Sequence, residues 1–139
     1  MLNNNQIAIE MNIIPEIFEA SIGGYDGPSY EVKLQPDGTV LYQHSSDGIR
    51  PLANNPKENG IEVSEEQWQK FRKALDRADI WTWNKYYDSS ICDGTQWEVT
   101  IEYKDASVHS GGSNNYPPEQ EFEQYRAAVN ALLGGKDFQ

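Results

Sequence analysis

The residues best suited to nucleophilic or acid–base chemistry in this chain are its single cysteine, Cys92, and its two histidines, His44 and His109. A nucleophile needs a neighbouring base and a recognisable local frame. Neither a C-G-S-C-like nor a G-x-S-x-G stretch surrounds Cys92, which sits in "DSSICDG" beside a turn and reads more simply as a small hydrophobe. His109 alternates with Val108 along a strand-like stretch, which points it to solvent or to a neighbour. No catalytic set is therefore assigned. Asp88, Asp93 and Glu98, or Asp26 and Asp37, could supply oxygen ligands to a cation, but they lack the D-x-[DN]-x-[DN]-G spacing of a calcium loop and read as Asp-Gly turns. With one cysteine, neither an intrachain disulfide nor a cysteine-built zinc site is available. No metal or cofactor is expected.

The remaining chemistry is that of binding. Trp81, Trp83, Tyr86 and Tyr87 fall within "WTWNKYY", and the loop "SGGSNNYPP" follows, with Ser110, Asn114 and Tyr116 as polar and aromatic candidates. If they lie side by side at the surface, these seven residues form a binding site of rings and amides suited to a sugar or a protein hot spot. If the aromatic run lies in the core, the loop is a join: Gly111 and Gly112 allow positive φ where the strand ends, Asn114 or Asn115 bonds local backbone, and Tyr116 staples a helix to the sheet.

The elements that position these residues follow from periodicity. "IFEASIGG" alternates Phe18, Ala20 and Ile22 against Glu19 and Ser21. "YEVKLQPDGTVLYQH" does the same around a Pro36-Asp37-Gly38 turn and predicts a hairpin. Residues 45–60 are rich in Gly, Pro, Asn and Asp and predict a surface crossover. Ser64, with Gln67 three positions on, marks a capped helix over 64–77 with Trp68, Phe71, Ala74, Leu75 and Ala78 on one side. Trp97, Val99, Ile101 and Tyr103 alternate with Gln96, Glu98, Thr100 and Glu102, and residues 106–110 pair back. A helix over 118–133 follows, with Pro117 or Pro118 in its first turn, Phe122, Tyr125, Val129 and Leu132 as its apolar face, and Gly134-Gly135 at its end.

The order β-β-β-α-β-β-α predicts one α+β domain over residues 15–135, preceded by a mobile segment over 1–14. It comprises an antiparallel sheet of about five strands, in an order the sequence leaves open, with two helices packed on one face. The expected core is Phe18, Ile22, Val32, Leu34, Val40, Trp68, Phe71, Leu75, Trp97, Val99, Ile101, Phe122, Val129 and Leu132. A length of 139 residues suits a single domain, and the 12% aromatic content supplies buried area despite only 37% hydrophobic residues.

The motifs of the C-terminal third resemble a group of small, uncharacterised bacterial domains in which a strand near D-G-x-x-W precedes a glycine-containing loop, N-x-Y-P and a final helix. The matching positions are Trp83, Asp93, Gly94, Trp97, Gly112, Asn114, Tyr116 and Pro117, over Trp81 to about Leu132. The resemblance implies a fold and no activity.

A net charge of −11, from 22 acidic and 11 basic residues, opposes phosphate backbones and anionic lipid, so nucleic acid and membrane are not expected partners. The amino-terminal stretch shows neither a signal-peptide pattern nor a membrane span, which fits a cytoplasmic protein. Acidity without a catalytic signature fits a non-catalytic binding module, an inhibitor or immunity-type protein that masks a basic protein partner. Plain solubility and helix-dipole complementation also account for the charge. The alternative is a carbohydrate or other small-molecule module stacking its ligand on Trp83 or Tyr87. Oligomeric state is not legible.

Overall fold

The computed structural model describes residues 4–24, 28–45, 60–88 and 94–138. Its elements, in chain order, are α1 (Asn4–Glu10), β1 (Ile17–Gly24), β2 (Ser29–Leu34), β3 (Val40–Ser45), β4 (Gly60–Ile61), α2 (Glu65–Arg77), a 3-10 turn (Ile80–Thr82), β5 (Tyr86–Tyr87), β6 (Thr95–Glu102), β7 (Ser107–Ser113) and α3 (Glu119–Leu132). The fold is α+β, built on one sheet in the order β4-β3-β2-β1-β6-β7-β5.

The meander β1-β2-β3 forms as its alternation predicts, and β6 joins the other side of β1 with Phe18 opposite Ile101, Ala20 opposite Val99 and Ile22 opposite Trp97. This register puts the apolar residues of the two strands on one face, apart from Ile17, which is exposed at the start of β1 opposite Glu102. The sheet differs from the expectation in number and direction: it has seven strands, and β5 runs parallel to β7 while the other pairs are antiparallel. Both unforeseen strands, β4 and β5, are two residues long, too short to carry a period-two signal.

Both long helices lie on the apolar face and pack against each other. In α2, Ser64 Oγ accepts from Gln67 N (3.1 Å) and Gln67 Oε1 accepts from Ser64 N (2.8 Å), a complete capping box. Trp68 and Phe71 meet Phe18 at ring-centroid distances of 6.2 and 5.1 Å. From α3, Phe122 lies 4.9 Å from Trp97, while Tyr125 meets Trp83 at 5.4 Å. All the expected core residues are buried except Leu34, which sits half-buried at the end of β2 where the chain enters its turn.

Over its described part, the stretch expected as a mobile start carries a helix and buried side chains. Residues 4–10 form α1, whose Ala8 is buried and whose exit is tied by Ile13 N donating to Ala8 O (2.9 Å). Ile13 and Ile14 enter the core, and Lys104 Nζ bridges Glu10 and Glu16 at 3.3 Å each. Asparagine-rich composition concealed these few apolar anchors. Among the described residues, no helix is long and apolar enough to cross a membrane.

Candidate functional site

The seven candidate binding residues do not form one surface. Trp83 is 8% exposed, its ring covered by Trp97, Phe122 and Tyr125, and its indole N–H donates to Glu121 Oε1 (3.0 Å). Ser110 is buried, with its hydroxyl donating to Asn84 O (2.6 Å). Trp81 is half-buried: its N–H donates to Asp76 Oδ1 (2.8 Å), its ring meets that of Tyr103 edge-on at 5.8 Å, and the Arg72 guanidinium lies over both rings, 5.2 and 4.6 Å from their centroids. Tyr87 packs on Trp97, and its hydroxyl accepts from Asn84 N (3.0 Å). Tyr116 stacks on Trp97 and leans on Phe122. Asn114 takes a positive φ of 52° beside Gly94. Tyr86 alone among the seven is well exposed, at 58%.

The loop therefore closes the join between sheet and helix, with one change from the sequence reading. Gly111 and Gly112 lie inside β7 and neither has a positive φ; Asn114 does. What matters at Gly112 is the missing side chain, since a Cβ there would lie 2.6 Å from Trp97 Nε1 and 2.5 Å from Asn115 O. Asn115 completes the join, with its Oδ1 accepting from Tyr116 N (2.9 Å) and its Nδ2 donating to Asp88 O (2.7 Å).

Alternation sends Tyr86 to the face opposite the helices. Across that face, one rung of paired residues runs Tyr86, Gly111, Glu98, Ser21 and Glu31, from β5 through β7, β6 and β1 to β2, and ends at Gln43 of β3, which is buried. The next rung runs His109, Thr100, Glu19, Lys33 and Leu41. Small side chains at Gly111 and Ser21 leave a shallow trough. A hollow of about 500 Å³ beside Tyr86, Lys85, His109 and Glu98 adjoins one of about 320 Å³ lined by Glu19, Ser21, Glu31 and Glu98.

The carboxylates of this face differ in their partners. Glu19 pairs with Lys33 at 3.3 Å and Glu102 with His109 at 3.1 Å, while Glu31 and Glu98 form no ion pair among the described residues. Strand spacing puts the backbones of Glu31 and Glu98 about 10 Å apart, with Ser21 between them. Sequence periodicity turned both glutamates outward but held no information on which strands are neighbours.

The groups considered for other chemistry are dispersed. His44 is exposed on the helix side of β3, stacked near Tyr30 and Tyr42, and His109 lies on the opposite face four strands away. Asp37 closes its turn by accepting from Thr39 N (2.9 Å) and Thr39 Oγ1 (2.6 Å), and the Thr39 hydroxyl and amide hold its carboxyl below the usual range. Cys92, Asp93, Asp26 and the crossover over 46–59 lie outside the described residues. Among the described residues, no three His, Cys, Asp or Glu side chains gather as a metal site.

One helix-covered and one open, polar sheet face define a small α+β domain. The chain matches the family model of a domain of unknown function (DUF6438) over residues 26–132, and it belongs to that family. The match is to an uncharacterised domain group, as the resemblance implied, and it starts well before Trp81. No curated protein sequence matches the chain.

Proposed function

We propose that this domain is a non-catalytic binding module that docks a basic protein partner on its open sheet face, in the manner of an inhibitor or immunity-type protein. The observation carrying this reading is the pair Glu31 and Glu98, exposed on one rung and without an ion pair among the described residues, while the neighbouring Glu19 pairs with Lys33 and Glu102 contacts His109. The face carries four glutamates, Glu19, Glu31, Glu98 and Glu102, against Lys33 and Lys85, and it lies within a chain of net charge −11. Such a surface accelerates encounter with a cationic partner. The gap at Ser21 suits an Arg or Lys side chain, and Tyr86 at the trough's end offers an aromatic anchor.

A carbohydrate reading has less support, because both the candidate stacking rings, Trp83 and Tyr87, are engaged in the core. The experiment is capture from the native host on tagged wild-type protein and on the Glu31→Gln, Glu98→Gln double variant, washed at low and high salt. One basic protein, retained at low salt, released at high salt and lost from the folded double variant, is the expected result. Equal capture by both proteins sinks the reading, as does the absence of any salt-sensitive partner.

A further inference from the structure

On the helix side of the sheet, away from the open face, a hollow of about 450 Å³ opens where the 114–117 loop meets the start of α3. Its wall is apolar, from Ile22, Tyr116 and Phe122, and its lining also includes Arg126, Glu119 and Glu123. In a protein this acidic, an arginine is expected to be paired. Arg126 is not: its guanidinium lies 5.4 Å from the Phe122 ring centroid and makes no ion pair or hydrogen bond among the described residues. Its Nε is buried without an acceptor among the described residues, so the remaining N–H groups are those left for an anion. Glu119 and Glu123 likewise have no ion pair there.

One unpaired cation and two unpaired anions around an aromatic-walled hollow form the complement of a zwitterion with an apolar body. We infer that this hollow binds a free apolar or aromatic amino acid, or a close amino-acid-like molecule. The ligand carboxylate meets Arg126, its ammonium meets Glu119 or Glu123, and its side chain lies against Tyr116 and Phe122. Charge-assisted hydrogen bonds at both ends would orient it, and the aromatic wall would favour a flat side chain. A simple anion is disfavoured by the two carboxylates and a simple cation by Arg126. This inference is independent of the open-face reading, since the two sites lie on opposite sides of the sheet.

The test is amide NMR of the whole chain titrated with L-phenylalanine, N-acetyl-L-phenylalanine and L-phenylalaninamide. Saturable shifts at Thr95, Asn115 and Tyr116 are expected with phenylalanine, and an affinity loss of about tenfold with each end-blocked compound. Arg126→Gln should abolish the shifts and Glu119→Gln combined with Glu123→Gln should weaken them; the latter substitutions are exposed and test the inference even if Arg126→Gln fails to fold. No saturable shift with phenylalanine overturns the inference. So does equal binding of all three compounds, or unchanged binding by the glutamine double variant.

Discussion

The indole N–H of Trp97 donates to the backbone carbonyl of Asn115 across 2.8 Å, tying the first half of β6 to the loop that launches α3. Gly112 faces this bond from β7, opposite Trp97 in register. A methyl group at residue 112 would meet both the donor and the acceptor, and also Tyr87 O at 2.9 Å. Two of those three contacts are backbone atoms, which yield little. Gly112→Ala should therefore destabilise the fold by about 3 kcal/mol, the upper part of the overpacking range. Gly111→Ala should cost less, its nearest atom being Trp97 O at 3.1 Å. Urea unfolding of both variants checks the order; an innocuous Gly112→Ala would remove the packing explanation of the glycine pair.

Trp83 gives a second contrast. Its ring contacts three other aromatic residues in the core, so Trp83→Ala should cost about 3–5 kcal/mol by cavity formation. Trp83→Phe keeps much of the ring and loses the bond to Glu121, for a smaller cost of about 1–2 kcal/mol. Thermal unfolding of the two checks this. Any loss of partner capture in Trp83→Ala then reports unfolding and not a lost surface contact.

These two cases mark how far the sequence could be read. Alternation located the meander, the β6-β7 hairpin and the outward glutamates, because each is a local pattern of period two. The Ser64–Gln67 box was legible for the same reason, since both partners lie within one turn. What escaped was non-local. The pairing of β1 with β6 joins residues about eighty positions apart, and only that pairing brings Glu98 level with Ser21 and Glu31. Likewise, the composition of "WTWNKYY" could not say which rings turn inward; the parallel pairing of Tyr86 and Tyr87 with Gly111 and Gly112 decides it, sending Tyr86 out and Tyr87 onto Trp97.

The Arg72 cluster predicts a pH dependence. Arg72 donates to both carboxylate oxygens of Asp105 (2.9 and 3.2 Å) and through Nε to Asp76 (3.0 Å). The hydrogen bond from Arg72 holds the Asp105 carboxyl below its usual value of 3.8. A carboxyl depressed in the folded state stabilises the fold above its unfolded pKa, and that contribution disappears as pH falls through the folded pKa. Arg72 stays charged throughout; burial acts to lower its pKa, but the bonds to Asp105 and Asp76 outweigh it. Wild type should thus exceed Asp105→Asn in stability by up to about 1 kcal/mol near neutrality, given the carboxylate's exposure, with the gap closing below about pH 4. Denaturation midpoints across that range provide the check, and a gap independent of pH would contradict the ion-pair assignment.

The open face predicts an asymmetry between stability and binding. Glu31 and Glu98 are exposed, form no ion pair among the described residues and flank a small serine, so the folded state gains little from either charge. Their separation of about 10 Å across the sheet leaves a weak mutual repulsion in salt solution. Replacing both with glutamine should change stability by no more than about 0.5 kcal/mol, and in the favourable direction at low ionic strength. Glu19→Gln removes the pair with Lys33 and should be neutral or slightly destabilising. Urea midpoints at low and high salt distinguish these cases. If the Glu31, Glu98 double variant lost about 2 kcal/mol, those carboxylates would be part of what holds the sheet together, and the trough would lose its claim to be a surface kept for a cationic partner.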